Sequence, residues 1–231
     1  MRIWRFADPG NYRFAQASRR GSWSPSVGLC PECGASSQKR VQPLILEWEP
    51  GADVIGDFTW LGFGSDIAVT ERVAEDLRSF GGFEPGPIEM IQDPELRAID
   101  DVRISRPRVL LPYQGPQLCE LWVTHNVHLD PKKSSVRLAK ECGTCGQRQY
   151  EVDGIERRES TWNVERRESV KAHIPRSQGE GLFVAAHALT GAAIFRTLEF
   201  PGWVLCTDRV KELVTQKAFT NVAFLEVGGT F

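Results

Sequence analysis

FRTLEFPGWVLCTDRVKEL, residues 195–213, lies without gaps on FTWLGFGSDIAVTERVAED, residues 58–76. Seven positions coincide: Phe58 with Phe195, Leu61 with Leu198, Phe63 with Phe200, Thr70 with Thr207, Arg72 with Arg209, Val73 with Val210 and Glu75 with Glu212. Each copy makes the same local sense. DIAVT and WVLCT are apolar runs of strand length, and the threonine closing each stands where an N-cap oxygen would accept from an exposed helical N–H. An acid follows, Glu71 or Asp208, as the helix dipole favours. Val73, Ala74, Leu77 and Phe80 then recur on one helical face, as do Val210, Leu213 and Val214 in the second copy. Two strand–turn–helix units are expected.

A second repeat precedes each unit. CPECG at 30–34 and CGTCG at 142–146 use four of the six cysteines. In a reducing compartment a CxxC pair is metal-binding or redox-active more often than disulfide-forming. A redox protein needs one pair, with its first cysteine at a helix N-terminus, and neither pair here opens a helical pattern. A structural zinc needs four thiolates delivered by two tight turns, and the glycine after each second cysteine permits the positive φ of such a turn. One zinc held by Cys30, Cys33, Cys142 and Cys145 is therefore expected, with separate redox pairs as the alternative. The 108 residues between Cys33 and Cys142 do not prevent it. Loop closure grows with the logarithm of length, adding roughly 1–2 kcal/mol, against about 10–16 kcal/mol for a structural zinc. Cys119 and Cys206 sit in apolar runs and read as core residues, and His125 and His128 match no metal signature.

The order knuckle, strand, TxRVxE helix occurs twice, which suggests diverged tandem halves, 1–115 and 116–231, packed as one unit. Between them VQPLILEWE, PRVLLPY, LCELWVTHNVHL, QRQYEV and LFVAAHAL read as strands parted by Pro and Gly clusters. The fold class expected is α+β: pseudo-duplicated antiparallel β-rich halves with short helices, joined at the four-cysteine site. The second half carries an excursion, IERRESTWNVERRES at 155–169, that suits neither a clean strand nor a clean helix. An arginine-rich hairpin and a solvated helix are both open for it.

Net charge is −2, too little for the global basic field of a nucleic-acid binder, but its distribution is uneven. Residues 1–40 carry seven Lys or Arg against two acids, and residues 41–101 carry fourteen acids against three Arg. No eighteen-residue apolar run occurs, and the first thirty residues hold arginines in place of a signal-peptide core. A cytoplasmic protein without membrane contact is expected. No phosphate-binding, zinc-protease, nucleophile-elbow or dinucleotide motif is found. Four thiolates on one zinc leave no position for a substrate water, so a non-enzymatic role is expected.

The two CxxCG knuckles, in a chain of this length, resemble the double-CXXCG motif family, described as myxobacterial paralogues. The resemblance implies an immunity protein of the kind paired with Sit-type contact-dependent toxins, binding and neutralising one cognate toxin. The stretch from Phe195 is also similar to the C-terminal element of wider immunity proteins of polymorphic toxins. Two surfaces could serve such binding. Asp53, Asp57, Asp66, Glu71, Glu75 and Asp76 would suit a basic toxin, and Arg157, Arg158, Trp162, Arg166 and Arg167 an acidic or apolar one. The other reading is a zinc-ribbon adaptor or nucleic-acid-associated regulator, with MRIWRF, NYRF and SRRGSW near the N-terminus as its basic aromatic strip. A thiol oxidoreductase comes third.

Overall fold

The structure is a computed structural model that describes residues 1–21, 24, 28–36, 39–61, 66–92, 107–163 and 168–231. It is an α+β fold, mostly β-sheet, with two short α-helices among the described residues. Each strand–turn–helix unit forms as a hairpin followed by a helix. In the first, β4 (Phe58–Trp60) and β5 (Ile67–Thr70) lead into α1 (Glu71–Leu77). In the second, β15 (Ile194–Thr197) and β16 (Leu205–Thr207) lead into α2 (Asp208–Gln216).

Neither hairpin completes its sheet from its own neighbourhood. β5 pairs on its far side with β8 (Leu118–Val123), which in turn pairs with β6 (Phe83–Gly86), giving the order β4-β5-β8-β6. β16 pairs with β1 (Arg2–Ala7), which in turn pairs with β17 (Ala223–Thr230), so β15-β16-β1-β17 runs through the six-stranded sheet. All six of these pairings are antiparallel. The larger sheet also gains a parallel flank, β14 (Leu182–Val184) beside β17, while β3 (Leu44–Trp48) and β7 (Ile88–Ile91) pair in parallel within a separate three-stranded sheet. β2 (Ala17–Arg19) pairs with β3, and β9 (Asn126–Val127) closes the larger sheet next to β15. The central strand of the C-terminal sheet thus comes from the N-terminal end of the chain.

Alternation explains why β1 can occupy that place. Ile3 points into one core cluster with Phe195, Leu205 and Val227, while Trp4 and Phe6 point into another. The second cluster is shared by both units: Val73, Ala74 and Leu77 of α1 meet Val210 and Val214 of α2 there, with Phe58, Ile67, Val69, Ile194 and Cys206 from the strands. A third cluster, with Ala68, Leu118, Leu44 and Leu46, backs the four-stranded sheet. The turn after each helix bonds to the segment that opens the other unit, Ala193 N–H to Phe80 O at 2.8 Å and Phe58 N–H to Thr220 O at 3.3 Å.

Some local expectations are corrected. Thr70 and Thr207 occupy the N-cap positions with extended backbone, yet neither hydroxyl bonds its helix. Thr70 Oγ1 donates instead to Asp57 Oδ1 at 3.3 Å. PRVLLPY at 107–113 forms no strand, since Pro107 and Pro112 at its two ends bring no N–H to a ladder. LFVAAHAL is a strand only over Leu182–Val184 and then tightens into a 3₁₀ turn, Ala186–Leu189. The charged excursion is a hairpin, β12 (Arg157–Asn163) with β13 (Glu168–Ile174).

A buried charge cluster joins the smaller sheets. Glu120 on β8, 2% exposed, accepts from Arg40 Nη2 at 2.6 Å, and Arg40 Nε lies 3.5 Å from Asp66, which also pairs with Arg19. Desolvation pushes the Glu120 carboxyl up to about 7, against the pull of Arg40 and with the added push of Asp66. Arg196 faces the same cluster and lowers it slightly. The second Glu120 oxygen, Oε2, is buried without a hydrogen-bond partner among the described residues. A carboxyl raised in the folded state holds a proton that the unfolded chain has released, so this group makes stability fall as pH rises between the unfolded value and about 7. Glu120→Gln removes the titration. Its stability relative to the parent is expected to improve by on the order of 2 kcal/mol between pH 5 and 8. Urea unfolding at several pH values measures this, and parallel curves for the two proteins would refute it.

Candidate metal centre

Both cysteine knuckles are built by one backbone plan. Cys30 N–H donates to Ala35 O at 2.9 Å and Gly34 N–H to Cys30 O at 2.8 Å; Cys142 N–H donates to Gln147 O and Gly146 N–H to Cys142 O, each at 2.9 Å. Gly34 and Gly146 hold φ of +69° and +71°, the left-handed conformation that closes the turn and that a side chain would strain. The second knuckle joins the strands of a hairpin, β10 (Val136–Glu141) and β11 (Arg148–Val152). The first sits inside the isolated bridge between Leu29 and Ser36.

The turns aim amides at sulfur. The N–H groups of Cys33 and Glu32 donate to Cys30, those of Cys145 and Thr144 to Cys142, and that of Gln147 to Cys145. The knuckles also clasp each other: Thr144 Oγ1 donates to Glu32 Oε2 at 2.6 Å, and Cys142 Sγ approaches the same oxygen at 3.5 Å. The Thr144 hydroxyl is the main reason that the Glu32 carboxylate is held below its ordinary range.

All four sulfurs lie within 4.8 Å of one another, none in a disulfide. Across the knuckles, Cys30 Sγ is 3.7 Å from Cys142 Sγ and Cys33 Sγ is 3.5 Å from Cys145 Sγ. A tetrahedron with metal–sulfur arms of about 2.3 Å has edges of about 3.8 Å, so the spacing suits one ion at the centre. Cys142 is buried, Cys30 and Cys33 half-buried, and Cys145 exposed.

Electrostatics points the same way. The backbone N–H of Cys33, then that of Glu32, brings the Cys30 thiol down to about 7. At Cys142 the N–H of Cys145 also favours the thiolate, but desolvation and the sulfurs of Cys145 and Cys33 carry it up to about 12. The Cys145 thiol is raised as well: the Gln147 N–H favours its anion, and desolvation and the thiols of Cys33 and Cys30 outweigh it. Four anions this close need a cation between them.

The structure therefore brings together the four cysteines that the sequence singled out, in a cluster able to hold a metal ion. No other group of three or more Cys, His, Asp or Glu converges in this way among the described residues. His125 Nε2 bonds Ala188 O at 3.1 Å and His128 Nδ1 meets Glu199 at 3.2 Å, both remote from a metal role. Cys206 is fully buried and burial lifts its thiol; burial also pushes Cys119 up to about 11.

The acidic residues do not form one open face. Asp53, Glu71 and Glu75 are exposed, and Asp76 meets Lys217 at 3.2 Å. Asp66 lies in the buried cluster. Asp57 is 6% exposed, taking Arg72 Nη2 at 2.7 Å and both the N–H (2.8 Å) and the hydroxyl (2.9 Å) of Thr220. These two carboxylates are spent inside the fold. Arg157 and Arg158 are exposed, Trp162 lies on β12 opposite Ser169, and Arg166 and Arg167 lie outside the described residues. Sequence reasoning missed the Glu32–Thr144 clasp and the role of Asp57. Neither residue stands in a pattern, because the contact that defines each one spans more than a hundred positions.

No helix among the described residues is long and apolar enough to cross a membrane. Compared with known proteins, the chain matches no family model and no curated protein.

Cobalt(II) added to metal-free protein is expected to bind one ion per chain with the intense visible absorption of a tetrahedral thiolate site. Cys142→Ser should weaken the binding at least about tenfold and destabilise the fold with it. Two independent cobalt sites, or a spectrum without thiolate character, would refute a shared centre.

Proposed function

We propose that this chain is a metal-clamped binding protein that neutralises a cognate toxin in the cytoplasm, with one structural zinc and no catalytic role. The observation that carries the reading is the meeting of two knuckles 112 residues apart at one set of four sulfurs. A shell of four thiolates is complete, so a zinc there would hold the frame rigid and leave function to the protein surface. Zinc is preferred because an all-thiolate tetrahedral donor set suits it and the ion has no redox chemistry of its own.

A tandem duplication with exchanged strands accounts for the frame. In this reading β1 and β8 are equivalent, each followed by a knuckle, and each is inserted into the sheet of the other half. The matching sheet orders and the paired turn contacts at Phe80 and Thr220 both support it. So do the registers, which set Thr70 opposite Leu118 and Thr207 opposite Ile3. Preorganisation of this kind suits a protein that must bind one partner tightly and ignore others.

The toxin itself enters only through the resemblance of the two CxxCG motifs. The nucleic-acid reading keeps only part of its candidate strip at the surface, with Tyr12 and Arg13 exposed. Ile3, Trp4, Phe6 and Phe14 are buried, and Arg19 and Arg20 pair with Asp66 and Glu47. In cells that produce the toxin encoded beside this protein, its expression is expected to restore growth, and protein purified without added metal should carry one zinc. Unrelieved growth arrest with zinc intact would discard the toxin and keep the metal frame. Zinc absent from a folded, protective protein would do the reverse.

A further inference from the structure

We propose that the outer edge of the sulfur cluster, Cys33 with Cys145, is an oxidative modification site, where hydrogen peroxide joins the two thiolates in a disulfide across the knuckles and expels the ion. Expulsion presupposes an ion at the four sulfurs, so the site rests on the metal reading and adds to it an inequality among the ligands.

The inequality begins with the contacts. Each sulfur of one knuckle faces a sulfur of the other, Cys33 with Cys145 at 3.5 Å and Cys30 with Cys142 at 3.7 Å. Access differs between the two. Cys145 is exposed and Cys33 half-buried, whereas Cys142 is only 2% exposed and has Glu32 Oε2 at 3.5 Å from its sulfur. An oxidant arriving from solvent therefore meets Cys145, with the Cys33 sulfur in contact behind it. Oxidation follows thiolate character and exposure, and a neighbouring thiol resolves the oxidised sulfur into a disulfide. The two remaining cysteines offer no such edge, since Cys206 is fully buried in the shared core cluster and Cys119 packs against it.

Atoms and electrons balance. The Cys145 thiolate attacks one peroxide oxygen, the O–O bond breaks, and the departing hydroxide takes a proton to become water. The Cys33 thiolate then attacks the sulfenic sulfur of Cys145; the S–O bond breaks, and the second hydroxide is protonated in turn. The thiolates lose two electrons between them, peroxide is reduced to two waters, and solvent supplies two protons. An ion left with Cys30 and Cys142 alone has lost half of its tetrahedral shell and dissociates.

The knuckles are held for this exchange by contacts that use neither Cys33 nor Cys145. Thr144 Oγ1 donates to Glu32 Oε2 at 2.6 Å, and each turn keeps its own backbone bonds at Gly34 and Gly146. The new bond therefore ties together the same two turns that the ion tied. A thiol oxidoreductase would instead close its disulfide within one CxxC pair, so the partners of the bond separate the two chemistries.

The test uses the full chain loaded with zinc and treated with limiting hydrogen peroxide. Released zinc is followed with a chromogenic chelator, and disulfides are mapped by mass spectrometry of a non-reduced digest after the remaining thiols are alkylated. A Cys33–Cys145 link that forms in proportion to the zinc released, outnumbers every other link at least about fivefold, and is reversed by dithiothreitol supports the site. Links within a knuckle, a Cys30–Cys142 link that forms first, or zinc released without any disulfide would overturn it. Zinc retained under excess peroxide would do so as well. A chain that takes up no zinc overturns the metal reading and the expulsion with it, while the mapped link decides the pairing by itself.

Discussion

A strand buried on both faces needs a neighbour on each edge and an apolar cover on each side, and β1 obtains both neighbours and one whole cover from residues beyond position 120, the other cover being shared with α1 and its hairpin. Ile3 fits under one cover and Trp4 and Phe6 under the other, with β16 and β17 as neighbours. Asp208 fastens the arrangement at the start of α2, accepting from Arg2 N–H at 2.8 Å and Trp4 Nε1 at 2.9 Å. Since α1 and α2 share the cluster that Trp4 and Phe6 enter, removal of β1 would open the interior of both sheets at once. The four-stranded sheet depends on β8 in the same manner, through Leu118 on one side and Leu121 on the other.

The knuckles solve a different problem. Apolar burial tolerates small displacements, whereas sulfurs that share an ion must agree to within tenths of an ångström. Here the agreement is local in origin. Each turn fixes its two sulfurs through its own backbone bonds and a left-handed glycine, so the long chain between the turns has only to bring two finished halves together. The Glu32–Thr144 bond sets their relative orientation.

Much of this was legible in the sequence because the information was local. CPECG and CGTCG name the four sulfurs, and the TxRVxE pattern marks where each strand yields to its helix. The helix faces read from Val73, Leu77, Val210 and Val214 are the buried ones. What escaped was long-range. Nothing near Arg2–Ala7 or Leu118–Val123 tells which sheet will take the strand, because any half-buried alternation satisfies either. Asp57 and Asp66 looked like members of one acidic surface, because charge counts do not register a partner such as Thr220, Arg19 or Arg40 that only the fold supplies. The excursion at 155–169 defied periodicity for a related reason. At its described start Arg157, Arg158 and Glu159 are all exposed, so alternation has no buried face to follow there.

The place of β1 between β16 and β17 bears on how the chain is made. During synthesis β1 is made well before either of its neighbours; Ile3 stays without cover, and Trp4 and Phe6 with only the part that β4, β5 and α1 supply, until β16, α2 and β17 follow. Closure of the larger sheet thus waits until β16 and β17 have been made, and a chain cut short before β16 presents an apolar, unpaired strand to its surroundings. Such a fragment advertises its own incompleteness to chaperones and proteases, and only the arrival of β16 and β17 conceals it.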